Sequence, residues 1–254
     1  MKKIYTIVTV LLLSPYVLTA ALFNDIGINV GFNTFRLIGD NPSVQPQFPY
    51  SDGKISYSGG GLSYIEPGFD ISATLFMDAN NRHRVLAGVE YIGMNAKEVV
   101  SIFDYAYSYA YHSVDFIDGY IGYHFSFYKA PWQNVRLYSG LEMMFNNIIL
   151  NEMKEGLKAV PGMDKDSIVS ERESIHFKPN TFRFGGRIRI GFEGKIKENL
   201  YIVTSGTLGI YNLLGRDDST GELFHIPNSF DKGEAFQPFF NFLISFQYRF
   251  NDGE

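Results

Sequence analysis

The chain of 254 residues contains no cysteine. That excludes disulfides, thiolate metal sites and a lipid-modified cysteine behind an export signal. Long hydrophobic runs are also missing beyond the N-terminus. A membrane-spanning helix needs about 20 apolar residues, so any passage through lipid must use strands, because hydrocarbon offers a free backbone group no partner. An excess of positive charge is absent too: 22 Lys and Arg stand against 27 Asp and Glu, a net charge of −5. Such a balance carries no footprint for nucleic acid. Gly59-Gly60-Gly61 has no helix pattern or lysine after it, so no phosphate cradle is implied. Asp164-Lys165-Asp166 and Asp217-Asp218 lack the ligand spacing and glycine of a calcium loop and read as solvated charge. No metal and no cofactor is expected.

What is present begins at the N-terminus. Lys2 and Lys3 precede an apolar run, Ile4 to Leu13, interrupted by Ser14-Pro15 and followed by the small residues Thr19-Ala20-Ala21. This order is that of a secretory signal. Residues 1–21 are expected to be a signal peptide cut after Ala20 or Ala21, leaving 22–254 as the mature domain. Tryptophan occurs once, yet 23 Phe and 17 Tyr raise aromatics to 16%, beside 25 glycines. Aromatic-rich, glycine-rich composition with modest hydrophobicity suits a β protein that is apolar outside and polar inside.

Period-two alternation carries the fold, because successive side chains of a strand point to opposite faces. In Phe182 to Phe192, Phe182, Phe184, Ile188, Ile190 and Phe192 oppose Arg183, Arg187, Arg189 and Glu193. Phe236 to Phe250 sets Phe240, Phe242, Ile244, Phe246, Tyr248 and Phe250 against Asn241, Ser245, Gln247 and Arg249. Val135 to Phe145 and Leu62 to Met77 repeat the pattern. Ile26 to Arg36, Val85 to Ala96, Val114 to Phe127 and Leu200 to Leu213 show it more weakly. Each of these eight segments reaches the 9–11 residues of a tilted membrane strand.

Their connections alternate long and short. Residues 38–61, 97–113, 151–176 and 215–235 are long and polar; Asp78 to Arg82, Lys129 to Asn134 and Lys197 to Asn199 are tight. Outer-membrane barrels pair short periplasmic turns with long external loops. The expected fold is therefore all-β: an antiparallel transmembrane up-and-down barrel, most simply of eight strands. Ten strands remain open, since 97–113 and 151–176 each have room for a further segment. A soluble lipocalin-like barrel is the other alternative, distinguished by an apolar interior.

Residues 24–250 resemble the small outer-membrane barrels of the OmpA and OmpX type. The most specific match is the C-terminal Ser245-Phe246-Gln247-Tyr248-Arg249-Phe250, an aromatic-x-aromatic strand. Leu243 and Ser245 depart from the usual pattern, and Asn251 to Glu254 follow the terminal Phe. The resemblance implies an outer-membrane address, outer-membrane lipid as surroundings, and recognition of the last strand by the barrel-assembly machinery. It also implies aromatic girdles at headgroup depth, for which Tyr128, Trp132, Tyr248 and Phe250 are the periplasmic candidates.

The polar faces would enclose Glu66, Asp70, Glu90, Asp118, Arg136, Glu142, Arg183, Arg187, Arg189, Glu193 and Arg249. Eight strands leave an interior just wide enough for side chains to fill, and enclosed charges persist only when paired. An internal ion-pair network that plugs the lumen is expected, with a selective conduit as the competing reading. His124 and Ser126 share a strand face, the minimum for an acyl-transfer nucleophile and its base. Some eight-stranded enzymes acting on lipid A use a similar His-x-Ser pair, but theirs faces lipid, whereas this pair points inward. The expected function is a non-enzymatic barrel with a structural role, or one presenting its external loops to a surface ligand. A narrow porin-like conduit and a lipid A acyl hydrolase are the alternatives.

Overall fold

The computed structural model of the protein describes residues 25–39, 62, 64–102, 106–131, 134–159, 168–175, 182–214 and 236–251. The expected signal peptide, Trp132, and nearly all of 38–61 and 215–235 lie outside them. The described chain forms nine strands: β1 Asp25–Leu37, β2 Glu66–Phe76, β3 His83–Ile102, β4 Ala106–Lys129, β5 Val135–Ala159, β6 Ile168–Ile175, β7 Phe182–Lys197, β8 Leu200–Leu214 and β9 Gln237–Arg249. All neighbours pair antiparallel, and β4 pairs β5 to join the two ends of the sheet. β1 pairs β9 from Gly27↔Arg249 to Leu37↔Phe239. Eight strands, β1–β5 and β7–β9, thus close one barrel.

β6 does not add a ninth stave. It pairs the distal part of β5 (Glu152↔Ile175 to Lys158↔Ile168), whereas β7 pairs the proximal part of the same edge (Asn147↔Phe182 to Val135↔Gly194). β6 is therefore the upward continuation of the line β7 occupies. The expected loops 97–113 and 151–176 are corrected accordingly. β3 and β4 stay paired from Asn95↔Ser113 to Ile102↔Ala106, and β4 and β5 from Ser113↔Glu152 to Ala106↔Ala159. β3, β4, β5 and β6 continue past the barrel as a four-stranded ledge, whereas β2 begins at Glu66, which accepts a hydrogen bond from Asn95 N at 3.2 Å. At about 3.3 Å per residue the ledge adds roughly 20 Å of strand beyond that level. Beyond the closed ladder no strand face has to meet lipid, so period two is lost there and the sequence reads as loop.

The opposite end carries the tight turns and both termini. Asp78 Oδ1 accepts the backbone N–H groups of Arg82 (2.8 Å) and His83 (2.7 Å), and Asn81 takes a left-handed φ of 52°. Asn199, at φ 61°, does the same between β7 and β8. Asparagine tolerates this region where most residues do not. Phe250 N donates to Ile26 O (3.0 Å) and Asn251 N to Asp25 Oδ1 (2.9 Å), stitching the last strand to the first.

Candidate functional site: the barrel lumen

Alternate residues of each strand point into the closed barrel, and the inward set is polar in its lower and middle levels. Next to the short turns, Glu193 accepts from Arg84 Nη1 at 2.6 Å and pairs with Arg249. The Arg249 guanidinium also lies over the rings of Phe76 (4.1 Å) and Tyr201 (3.9 Å), and that of Arg84 over Tyr138 (3.9 Å). Stacked guanidinium groups of this kind keep their charge while exchanging water for aromatic faces.

The middle level centres on Glu142. Its carboxylate accepts from Arg189 Nε at 2.5 Å, from Arg187 Nε, and pairs with His124 Nε2 at 2.8 Å. Arg187 Nη1 reaches on to Glu90 at 2.6 Å, and Glu90 also accepts from Asn33 and Asn241. Tyr120 lies under the Arg187 guanidinium at 4.3 Å and donates to Asp70 at 2.5 Å. Above them, Asp118 accepts from Asn146 Nδ2 at 2.8 Å and from the Tyr211 hydroxyl. Six buried carboxylates and five buried arginines face one another among the described residues, so the enclosed charge nearly cancels.

Three outcomes differ from the sequence reading. Glu66 and Arg136 lie at the two rims and are half-buried, not enclosed. Arg84, Asn33, Asn241, Tyr120 and Tyr211 belong to the network but were absent from the expected set. The upper lumen is built around an aromatic cluster absent from the expected set, with the buried polar side chains of His112, Asn146 and Asn151 at the same end. Phe35, Phe116, Tyr211 and Phe239 are each fully buried and pack ring to ring, with centroids 4.4 Å apart for Tyr211–Phe239 and 5.2 Å for Phe35–Phe239. Ile92, Met94, Val114, Met144 and Ile148 close the same cluster. Arg183 is buried at this end and donates to Phe182 O at 2.9 Å. An opening beside Asn29, Ser72 and Thr74 measures only about 20 Å³, the room of roughly one water molecule.

The His124–Ser126 pair is inward and buried, as the alternation indicated. Its geometry is not that of a nucleophile and base. His124 Nε2 is taken by Glu142, its ring stacks on Tyr138 at 5.2 Å, and Ser126 Oγ has no hydrogen-bond partner. Gly140 makes room for this arrangement, since a Cβ there would fall 1.9 Å from His124 Cδ2 and 2.5 Å from Tyr123 O. Gly140→Ala is therefore expected to push His124 off Glu142 and to cost about 1–3 kcal/mol, measured as a lower temperature at which the folded electrophoretic band is lost.

Outside, the polarity is reversed. Phe32 is 72% exposed, Leu141 66%, Ile190 60% and Phe246 56%, within a continuous apolar surface. A soluble lipocalin-like barrel would bury these side chains and expose the arginines; water-soluble proteins rarely show apolar patches beyond a few hundred Å². Apart from local bulges, the strands of the belt pair on both sides in one closed ladder, the condition for crossing lipid with strands. The chain is a membrane-spanning β-barrel. Tyr128, Tyr248 and Phe250 of the barrel are about half exposed at the end carrying the short turns, with Tyr248 edge-on to Phe250 at 5.3 Å.

No family model and no curated protein sequence matches the barrel. Among solved structures it is similar to Ail, the attachment invasion locus protein of Yersinia pestis, in complex with the heparin analogue sucrose octasulfate (13% identity, 89% of this chain and 98% of that one, TM-score 0.39). It is also similar to Neisserial surface protein A (10% identity, 88% and 95%, TM-score 0.41) and to the outer-membrane protein OprG of Pseudomonas aeruginosa (12% identity, 90% and 97%, TM-score 0.39).

Proposed function

We propose that the protein is a closed, non-conducting outer-membrane barrel that holds its four-stranded ledge above the membrane for contact with a surface partner. The observation carrying this reading is the two-part filling of the lumen: an ion-paired lower core beneath a packed aromatic plug. An ion entering from outside would have to cross the ring cluster of Phe35, Phe116, Tyr211 and Phe239, whose faces replace little of its hydration shell. An ion entering from below meets guanidinium and carboxylate groups already paired with one another. The network thereby fixes strand register, and the plug seals it. The exposed tyrosines and Phe250 at the turn end serve as the periplasmic girdle, and residues 1–21 as the export signal.

The ledge supports the surface role. It extends β3 to β6 beyond the lipid-spanning ladder without contributing to closure, so membrane insertion alone does not explain it. Planar-bilayer recordings should show no stable channels for the wild-type protein, whereas Phe116→Ala with Phe239→Ala should produce intermittent conductance. Large, stable wild-type channels would refute the closed reading and favour the conduit. For the hydrolase alternative, His124→Ala and Ser126→Ala should leave lipid A acylation unchanged.

A further inference from the structure

The end of the barrel that carries the short turns is not flush. It holds a cup of about 220 Å³ between the β2–β3 turn, the end of β4, the start of β5 and the facing ends of β7 and β8. Arg82, Lys129, Arg136 and Lys195 line it, and no carboxylate does. Glu193, a buried acid beneath, already pairs with both Arg84 and Arg249. Asp78, in the adjoining turn, spends Oδ1 on the backbone N–H groups of Arg82 and His83. Arg82, Lys129 and Arg136 brought together around a concave space repel one another unless an anion sits among them.

A second, independent observation lies in the wall. Ser126 is 5% exposed, lines the cup, and its Oγ makes no hydrogen bond. A buried hydroxyl left without a partner costs free energy, and a ligand oxygen in the cup would supply one. Arg136 is held in place by a 3.3 Å bond from Nη1 to Asn81 O, at the junction of cup and core. Arg82 and Lys129 are exposed at the rim, and Tyr128, next to Lys129, faces outward on the lipid side.

We propose that this cup binds a phosphate-bearing group, with Arg82 and Lys129 admitting it at the rim, Arg136 and Lys195 holding its oxygens and Ser126 Oγ donating to one of them. The same chemistry is offered by an anionic phospholipid headgroup from the adjacent leaflet and by free phosphate. The full-length folded protein in detergent separates the two. Retention of phosphatidylglycerol and phosphatidylcholine is compared by native mass spectrometry, and the melting temperature is measured with inorganic phosphate against chloride at equal ionic strength.

Preferential retention of phosphatidylglycerol supports the headgroup as source; a melting temperature raised by phosphate without lipid preference supports the free anion. In either case R82Q with K129Q should weaken binding about tenfold or more, since two charge-assisted contacts are lost. S126A should weaken it less, and K97Q, on the distant ledge, should leave it unchanged. Equal retention of both lipids together with no phosphate effect overturns the proposal. So does a loss with K97Q as large as that with the rim pair, which would mark a response to overall charge. R82Q and K129Q alter exposed side chains, and folding of the double variant is checked by its heat-sensitive electrophoretic shift.

Discussion

Glu142→Ala is expected to destabilise the barrel by about 3–5 kcal/mol, the largest effect of any single lumen substitution considered. The carboxylate is fully buried and pairs with Arg187, Arg189 and His124. Removing it leaves two guanidinium groups with one fewer counter-charge in a space that water enters poorly. Arg187 keeps Glu90, which limits the damage; Arg189 keeps, among the described residues, a 3.3 Å bond to Ser205 Oγ as its remaining side-chain hydrogen bond. Glu142→Gln retains acceptor capacity without charge and should fall between the two. Urea unfolding of barrels inserted in lipid vesicles measures the difference, and an alanine variant within about 1 kcal/mol of wild type would show that the network does not hold the barrel together.

Ile188→Arg is expected to cost about 2–4 kcal/mol, the depth-dependent penalty for a cation near the bilayer midplane. Ile188 is 54% exposed and pairs with Leu141 on one side and Leu208 on the other, themselves 66% and 59% exposed. Its neighbours Arg187 and Arg189 are buried. The same side chain is thus required at 187 and 189 and excluded at 188, a contrast only a lipid-facing strand produces. Folding yield into vesicles and urea midpoint give the measurement. A surface substitution in a water-soluble barrel would change stability by no more than about 0.5 kcal/mol.

Where one face of a strand is charged and the other apolar, the sequence is sufficient. β7 alternates arginine with phenylalanine and isoleucine, and β9 asparagine, serine and glutamine with aromatics, so both reveal their inward faces at once. The contrast fails in β3, whose outward Val85, Val89 and Tyr91 oppose the equally apolar inward Leu86, Ile92 and Met94. That segment hid both Arg84 and part of the plug. Phe239 and Phe240 make the same point within one dipeptide, one fully buried and the other 40% exposed. Composition cannot separate them; only their register against β1 and β8 does.

The ledge escaped notice for a different reason. Above the lipid neither face must be apolar, so the pressure that writes period two into a membrane strand is gone. Lys97 stacks over Tyr111 at 5.4 Å and Tyr109 meets Tyr111 at 5.3 Å, contacts between residues that individually suit a loop. The arginine count, by contrast, was informative beyond its number. Arginines at alternate positions of one strand demanded enclosed acids: Glu90 and Glu142 pair with Arg187 and Glu142 with Arg189, while Glu193 of the same strand pairs with Arg84 and Arg249.

The most direct test of inverted polarity uses tryptophan as a depth probe in a Trp132→Phe background, in vesicles with brominated acyl chains. Phe246→Trp and Phe242→Trp should be strongly quenched, because both side chains face lipid, while Phe239→Trp, enclosed in the aromatic plug, should keep most of its emission. Strong quenching at 239 with little at 242 and 246 would place the phenylalanine faces the other way round and contradict the membrane barrel.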